Sequence, residues 1–559
     1  MPACSQAAPA QSAPQTPSQV PSATELAPRT PPRTEPERLP PQPGAAPQPP
    51  RELEKPAEAL TLTVRGYALS PNAPPELLAV LPTLLAPYTG ERRSYDDLVD
   101  AAADVTRWLQ RELGWYLGYA YLPEQDPRDG IVRIELLEGR LDAIELRWPD
   151  SLPVRRDIVR AYLDRLRPGE ILRVADVERV VFLINDLRGI TARFELKAGR
   201  QPGTAAIVVS GQAESRWSGK VDVDANGSRF LGAYRAGVVL TGNSLLGRGD
   251  ALALNALASV DGGLGFALAG YTLPVGHDGL KLGSSLSLVR YRLDQGQFPL
   301  DVNGEALSLS LTALYPWIRS RNLNLFAVAT LDAKHHVDRQ DAAGAVTRRT
   351  LSGLGLALSG DLRDNVLGGG VNTFELGLSH AQVHYPEGRP GGLDDAPRHT
   401  KLTLAANRLQ NLVDGRLLLY AALRGQWALD NLDSAEQFRA GGPDGVRAFA
   451  PGEGTGDSGL VASLELRLLP PEAWLGRRAR EFVISLFVDH AALQRRADRP
   501  ALSTFVNRSQ LGGAGLALSW ERPREWAARL SLATPTRGQA SSDTASRNPR
   551  VYAQLSWFY

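Results

Sequence analysis

The sequence predicts a β-dominated fold in which two tandem α/β domains precede a 16-stranded antiparallel transmembrane β-barrel. Three observations carry that prediction. Between about residues 60 and 210 one order of elements, a strand, two helices and two strands, occurs twice. From residue 211 onward helical spacing gives way to short segments with one oily and one wet face. The chain then ends on Leu555-Ser556-Trp557-Phe558-Tyr559, an alternating strand that finishes in three aromatics, the placement that an interfacial girdle requires.

Composition narrows the functional classes. With 62 basic and 61 acidic side chains in 559 residues, the chain lacks the cationic excess of a nucleic-acid binder, so no such partner is expected. The single cysteine, Cys4, excludes intrachain disulfides and cysteine-based zinc sites. No run approaches the roughly 20 apolar residues of a spanning helix, so any crossing of a membrane falls to strands. Met1 to Gln11 carries neither the charged nor the apolar region of an export leader, although Ala8-Pro9-Ala10 has the small residues of a cleavage site. A leader is therefore expected to be unused or to lie outside this chain.

Residues 1–59 read as a proline-rich linker, since 16 of the 41 prolines fall before residue 57, mixed with Ala, Gln and Ser. Such a stretch cannot bury enough apolar surface to order itself. Residues 60–139 form the first α/β domain. Leu62-Thr63-Val64 is its first strand, Leu77, Leu78, Leu81, Leu84 and Leu85 mark a helix from Pro75, and Ser94 caps a second helix carrying Leu98, Ala102, Val105, Leu109 and Leu113. Strands at Gly118–Leu122 and Ile131–Leu136 complete it. Residues 140–210 repeat the order, with strands at 143–147, 191–197 and 205–210 and helices at 155–166 and 174–187. A unit of about 75 residues is small enough to lean on its neighbour for stability.

The barrel is assigned to 211–559. Leu307, Leu309 and Leu311 oppose Ser308, Ser310 and Thr312, and Leu460, Ala462, Leu464, Leu466 and Leu468 oppose Ser463, Glu465 and Arg467. Charge on the second face excludes a dry sandwich core and points that face into water. Sixteen such segments begin near 217, 232, 250, 263, 280, 306, 321, 349, 371, 399, 416, 459, 481, 510, 526 and 551. About 22 residues per segment suffice for a tilted strand of roughly 10 residues and a connection.

Two stretches inside the barrel region carry candidate chemistry. The connection after the eleventh segment, the sixth outer loop at 431–459, contains Gly441-Gly442-Pro443-Asp444-Gly445-Val446-Arg447-Ala448-Phe449. The thirteenth segment reads Phe482-Val483-Ile484-Ser485-Leu486-Phe487-Val488-Asp489-His490-Ala491, and its parity turns Ser485, Phe487 and Asp489 into the lumen. A carboxylate on an inner wall needs water or a cation, and Arg447 supplies one if the loop folds inward.

Gly445-Val446-Arg447-Ala448-Phe449 resembles the V-R-G-[FY] motif in the inward-folded sixth loop of the two-partner secretion outer-membrane transporters, the TpsB type of the POTRA-plus-barrel superfamily. Phe487-Val488-Asp489-His490-Ala491 resembles their F-x-D-x-G strand motif, with Ala448 and Ala491 standing where the family has Gly. Pro123, Gln125, Gly130, Glu138 and Gly139 resemble the P-x-Q-x-x-x-x-G and E-G stretch closing the family's first POTRA domain. The resemblance spans nearly everything after residue 60. It implies two POTRA domains, at 60–139 and 140–210, and a structural lock between Arg447 and Asp489, flanked by Val446, Phe449 and Phe487. It implies a bacterial outer-membrane protein of type V secretion, with its POTRA domains in the periplasm. Such a pore secretes a large hemagglutinin- or hemolysin-like exoprotein without ATP. The partners it implies are that exoprotein, captured through its amino-terminal secretion domain by strand addition to POTRA edges, and outer-membrane lipid. Leu555, Trp557, Phe558 and Tyr559 become the barrel-closing strand. The family's amino-terminal plug helix is not carried over, because residues 1–50 are poor helix material. An insertase of the same superfamily is the alternative, and a passive porin or receptor follows, since it would not need the paired domains.

Other features carry little. Arg248-Gly249-Asp250 has the form of an adhesion ligand but falls in a turn on the inner side. His335-His336 lacks an acidic or Cys cluster at ligand spacing, so no metal is expected. No nucleophile motif surrounds the serines, and neither catalysis nor a cofactor is expected.

Overall fold

The computed structural model of the chain describes residues 52–55, 61–127, 129–390, 394–413, 415–498, 505–543 and 548–559. The expected proline-rich linker at 1–59 therefore lies outside the described residues, apart from 52–55.

The first α/β unit runs β1 (Thr61–Val64), β2 (Gly66–Leu69), α1 (Pro75–Leu84), β3 (Gly90–Ser94), α2 (Tyr95–Glu112), β4 (Tyr119–Tyr121) and β5 (Ile131–Leu137). Its sheet order is β2-β5-β4, with β2 parallel and β4 antiparallel to the central β5. Where one opening strand was expected the chain makes two. The backbone N–H groups of Arg65 and Gly66 both donate to the Gly130 carbonyl, and this bend sends β1 away to pair with β3. Gly90-Glu91-Arg92-Arg93-Ser94 lacks apolar alternation, so β3 gave no periodic signal. Ser94 caps α2 as expected: its hydroxyl accepts from Asp97 N, and the Asp97 carboxylate accepts from Ser94 N at 2.8 Å. That backbone hydrogen bond, with help from the Ser94 hydroxyl, holds the Asp97 carboxyl below its ordinary value. Leu77, Val105, Leu109 and Ile134 fill the core.

The second unit repeats this plan with β6 (Arg140–Arg147), α3 (Arg156–Leu163), α4 (Val174–Asn185), β7 (Ile190–Ala198) and β8 (Thr204–Ala213). Its order is β6-β8-β7, again with the last strand central, parallel to the first and antiparallel to the other. β8 runs past the expected boundary at 210, because Gly211, Gln212 and Ala213 continue its ladder with Ala192, Thr191 and Ile190. Hydrogen bonds from Tyr116 N to Leu172 O and from Val174 N to Gly114 O, both 2.8 Å, join the two units.

The barrel strands are β9 (Trp217–Asp224), β10 (Arg235–Asn243), β11 (Ala251–Ser259), β12 (Leu264–Pro274), β13 (Lys281–Arg292), β14 (Val302–Arg319), β15 (Leu323–Gln340) and β16 (Ala345–Asp364). They continue as β17 (Gly370–His384), β18 (Arg398–Val413) and β19 (Leu417–Ala428). The sixth loop then holds the two-residue β20 (Phe438–Arg439) and β21 (Thr455–Gly456). β22 (Ser458–Leu468), the short helix α5 (Glu472–Leu475), β23 (Phe482–Gln494), β24 (Arg508–Arg522), β25 (Trp526–Arg537) and β26 (Arg550–Phe558) complete the chain. β9–β19 and β22–β26 close into a sixteen-stranded antiparallel barrel, one strand for each expected segment. The parity holds: Leu307, Leu309 and Leu311 stay exposed on the outer wall while Ser308 and Ser310 pair on the inner one. No helix among the described residues is long and apolar enough to cross a membrane.

α4 of the second unit docks onto the turns at one end of the barrel. Arg319, almost wholly buried, donates to both Asp186 oxygens at 2.9 and 3.0 Å and lies 4.8 Å over the Phe182 ring. Arg179 reaches the Pro316 carbonyl at 3.0 Å. Removing one member of a buried, hydrogen-bonded pair costs about 3 kcal/mol. Arg319→Ala is therefore expected to loosen the unit, read as faster tryptic cleavage after the exposed Arg216 in the linker between β8 and β9. An unchanged cleavage rate would show that this pair does not hold the unit in place.

Candidate gate inside the barrel

The sixth loop turns inward and crosses the lumen. Its tip is a tight backbone knot: Ala440 N donates to Gly454 O at 2.9 Å, Val446 N to Ala440 O at 2.8 Å and Phe449 N to Val446 O at 3.0 Å. Gly445 is required there, since a Cβ would lie 1.9 Å from the Ala440 carbonyl oxygen.

The knot presents Arg447 to the wall formed by β22 and β23. Arg447 N and Nε donate to Asp489 Oδ2 at 3.0 and 2.9 Å, and Nη2 donates to Oδ1 at 2.7 Å. Nη1 donates to Glu465 Oε1 at 2.7 Å, and the guanidinium lies 3.4 Å over the Phe487 ring. Asp489 also accepts from Ser463 Oγ at 2.9 Å, and Arg467 binds the other Glu465 oxygen at 2.7 Å. Glu465 and Asp489 share one face because Ser463 pairs with Asp489, and Glu465 with Phe487, across the β22–β23 ladder. Arg447, Glu465 and Asp489 are all buried, Asp489 to 1% exposure.

An apolar cluster seats the loop around this pair. Val446, Ala448 and Phe449 pack with Phe438, Val461, Phe487, Ala491 and Leu511. Tyr552 of β26 donates to the Phe449 carbonyl at 2.6 Å. Ala448 fits because β24 carries Gly513, where a Cβ would stand 2.6 Å from that of Ala448, and Ala491 is buried in the same cluster opposite Leu511.

Both limbs of the loop carry anchors that sequence reasoning missed. On the outgoing limb Asp433 pairs with Arg349 of β16 at 2.7 Å, and Glu436 bridges Lys334 of β15 and Lys401 of β18 at 2.7 and 2.8 Å. Burial pushes the Glu436 carboxyl up, but the two ammonium groups prevail and hold it well below the usual carboxylate range. On the returning limb Glu453 accepts from the backbone N–H and hydroxyl of both Ser541 and Ser542, at 2.6 to 3.0 Å. Glu465 had shown itself in the sequence only as one member of a wet face. The limb anchors join positions up to about a hundred residues apart, a separation at which a single sequence carries no periodic signal.

Two further sequence features have structural places. Asp250 of Arg248-Gly249-Asp250 is fully buried and accepts from Tyr271 Oη and the N–H groups of Leu246 and Arg248, so it shapes the turn and offers nothing to an adhesion partner. His336 is buried and faces inward while His335 is exposed, and no group of three or more metal-ligating side chains occurs among the described residues.

Residues 203–543, more than half of the chain, match the family model described as haemolysin secretion/activation protein ShlB/FhaC/HecB. The chain belongs to this family. Residues 62–139 match the ShlB-type POTRA domain, which makes the first α/β unit a POTRA domain. Among curated relatives, the heme/hemopexin transporter protein HuxB of Haemophilus influenzae strain 86-028NP is 25% identical over 457 residues, covering 81% of this chain and 80% of the relative. The outer membrane transporter CdiB of Dickeya dadantii is 27% identical over 419 residues, covering 70% and 69%. Of solved structures, CdiB from Escherichia coli superposes with a TM-score of 0.69 at 20% identity, covering 90% of this chain and 91% of that one. CdiB from Acinetobacter baumannii does so with 0.63 at 15%, covering 93% and 95%; both likenesses bear on the fold. As a member of the ShlB/FhaC/HecB family the chain is a two-partner secretion transporter of the outer membrane, and its POTRA domain faces the periplasm.

The signature residues of that domain turn out to build it. Gln125 acts as a short strand partner for β5, donating to Arg133 O at 2.8 Å and accepting from Arg133 N at 2.7 Å. Pro123 bridges Glu52, Gly130 adopts φ +78° and supplies the carbonyl that bends β1 from β2, and Glu138 pairs with Arg140. Gly139 adopts φ +70°, and a Cβ there would lie 2.5 Å from that of Leu117.

Proposed function

We propose that the chain secretes one large partner exoprotein, unfolded, from periplasm to cell surface, and that the Arg447–Asp489 contact holds the sixth loop in the lumen until cargo engages. The observation that carries this reading is the loop itself, threaded through a water-facing barrel and fixed by ion pairs at its tip and outgoing limb and by hydrogen bonds on its returning limb. A solute pore has no use for so large a movable obstruction. The second α/β unit, with the topology of the first, acts as a second POTRA domain. Its outer strands β6 and β7, like β2 and β4 of the first, are sheet edges that an extended cargo segment can join by strand addition. No nucleotide enters the cycle, because folding of the cargo outside opposes its return.

Two measurements test this. Comparing surface and culture-fluid proteins with and without the chain should show loss of one large protein and an unchanged set of outer-membrane barrels. A general loss of barrels would instead identify an insertase. Deleting residues 60–138 should leave an inserted barrel that secretes nothing, and normal secretion by that deletion would overturn capture by the POTRA domains.

A further inference from the structure

The turn joining β22 to β23, residues 469–481, is the longest connection at the periplasmic end of the barrel among the described residues. It folds as α5 followed by a 3-10 segment at Gly476–Glu481, and it exposes an apolar tip of Trp474, 64% exposed, and Leu475, 45% exposed. Arg477, Arg478 and Arg480 follow directly, with Arg480 held to Glu472 at 2.8 Å. The turn is fixed on the outer side of the wall: Glu481 accepts from Trp520 Nε1 at 2.8 Å and lies 3.4 Å from Arg522. The next turn adds Arg524, so the two turns together present four arginines against Glu472, Glu481 and Glu525.

This tip continues an existing lipid-facing band. Phe482 stacks on Trp520 with centroids 5.1 Å apart, and Trp520 meets Trp526 edge-on at 4.1 Å. Trp526 pairs in turn with the exposed Trp557. Aromatic rings at the end of a barrel strand mark the level of the headgroups. An exposed Trp-Leu pair followed by clustered arginines, set beside that band, has the composition of an interfacial segment attracted to a negatively charged surface. We infer that residues 469–481 form a foot that seats Trp474 and Leu475 in the periplasmic leaflet and engages anionic phospholipid headgroups through Arg477, Arg478 and Arg480. It grips the bilayer beside β22 and β23, the strands that carry Glu465 and Asp489. This inference stands on the barrel's membrane position and is independent of what the barrel secretes.

The test uses the full chain with Cys4→Ser and Trp474→Cys, labelled with a polarity-sensitive fluorophore and reconstituted into vesicles of phosphatidylcholine alone or with phosphatidylglycerol. Heat-modifiable migration confirms a closed barrel in each variant, and a label at Glu76→Cys in the first POTRA domain serves as the exposed control. The expected result is blue-shifted emission at 474, with quenching by brominated phosphatidylglycerol about threefold stronger than by brominated phosphatidylcholine at equal mole fraction. Arg477→Gln, Arg478→Gln and Arg480→Gln together should remove that preference. High salt should weaken it, because exposed charges are screened within about 8 Å at 0.15 M and less above it. Water-like emission in every vesicle would overturn the proposal. So would a shielded label that neither lipid quenches, which would mean that protein covers the foot, and so would equal quenching by both lipids.

Discussion

Removing Trp557, Phe558 and Tyr559 should abolish barrel assembly. β26 is joined to β9 over the register from Gln554–Asp224 to Phe558–Lys220, five pairs where β9 and β10 share eight. The deletion takes away Trp557–Val221 and Phe558–Lys220, and with them the reciprocal hydrogen bonds between Tyr559 and Gly219, each 3.0 Å. It also strips Trp526 of its cross-strand partner. Backbone groups of β9 opened in this way lie at the headgroup end of the seam and leave an unpaired edge beside the hydrocarbon that no neighbouring strand can take up. The measurement is outer-membrane abundance together with heat-modifiable migration. Wild-type levels of a heat-modifiable barrel would refute the closing-strand assignment, whereas Tyr559→Ala alone, which keeps the backbone pairs, should still assemble.

The architecture was legible in the sequence wherever one physical constraint repeats. A strand between lipid and water must alternate, and segments such as Leu307 to Thr312 alternate plainly enough to place all sixteen strands. The helices of the α/β units were legible for a related reason, since Leu98, Ala102, Val105 and Leu109 put one stripe into the core. β3 was not, because an exposed, charged two-stranded ribbon imposes no pattern. Arg447 and Asp489 could be paired in advance because strand parity turns Asp489 inward and because their surroundings resemble known motifs. Nothing local to Glu436 or Asp433 announces Lys334, Lys401 or Arg349, since closing the barrel is what brings β15, β16 and β18 to the outgoing limb of the loop. The burial of Asp250 likewise depends on Tyr271 across the β11–β12 ladder, which a tripeptide motif does not contain.

Arg447→Ala should stop regulated secretion, and Asp489→Ala should impair it less. The asymmetry follows from what each change leaves behind. Without the Arg447 side chain, Asp489 keeps the Ser463 hydroxyl and the backbone N–H of residue 447 but no cation while buried against the apolar cluster, and an uncompensated charge in such a place costs about 3–5 kcal/mol. Without Asp489, Arg447 retains Glu465 at 2.7 Å and the Phe487 ring, so the loop stays partly held. Glu465 in turn keeps Arg467 when Arg447 is lost. The double variant should be no worse than Arg447→Ala, because both substitutions break one shared interaction and independent sites would add. Arg447→Lys should rescue poorly, since an ammonium cannot span the two Asp489 oxygens and Glu465 together or lie flat on Phe487. Secretion and single-channel conductance, both at matched barrel abundance, read the outcome. Additive defects in the double variant, or undiminished secretion by Asp489→Ala, would mean that Arg447 and Asp489 do not act as one lock.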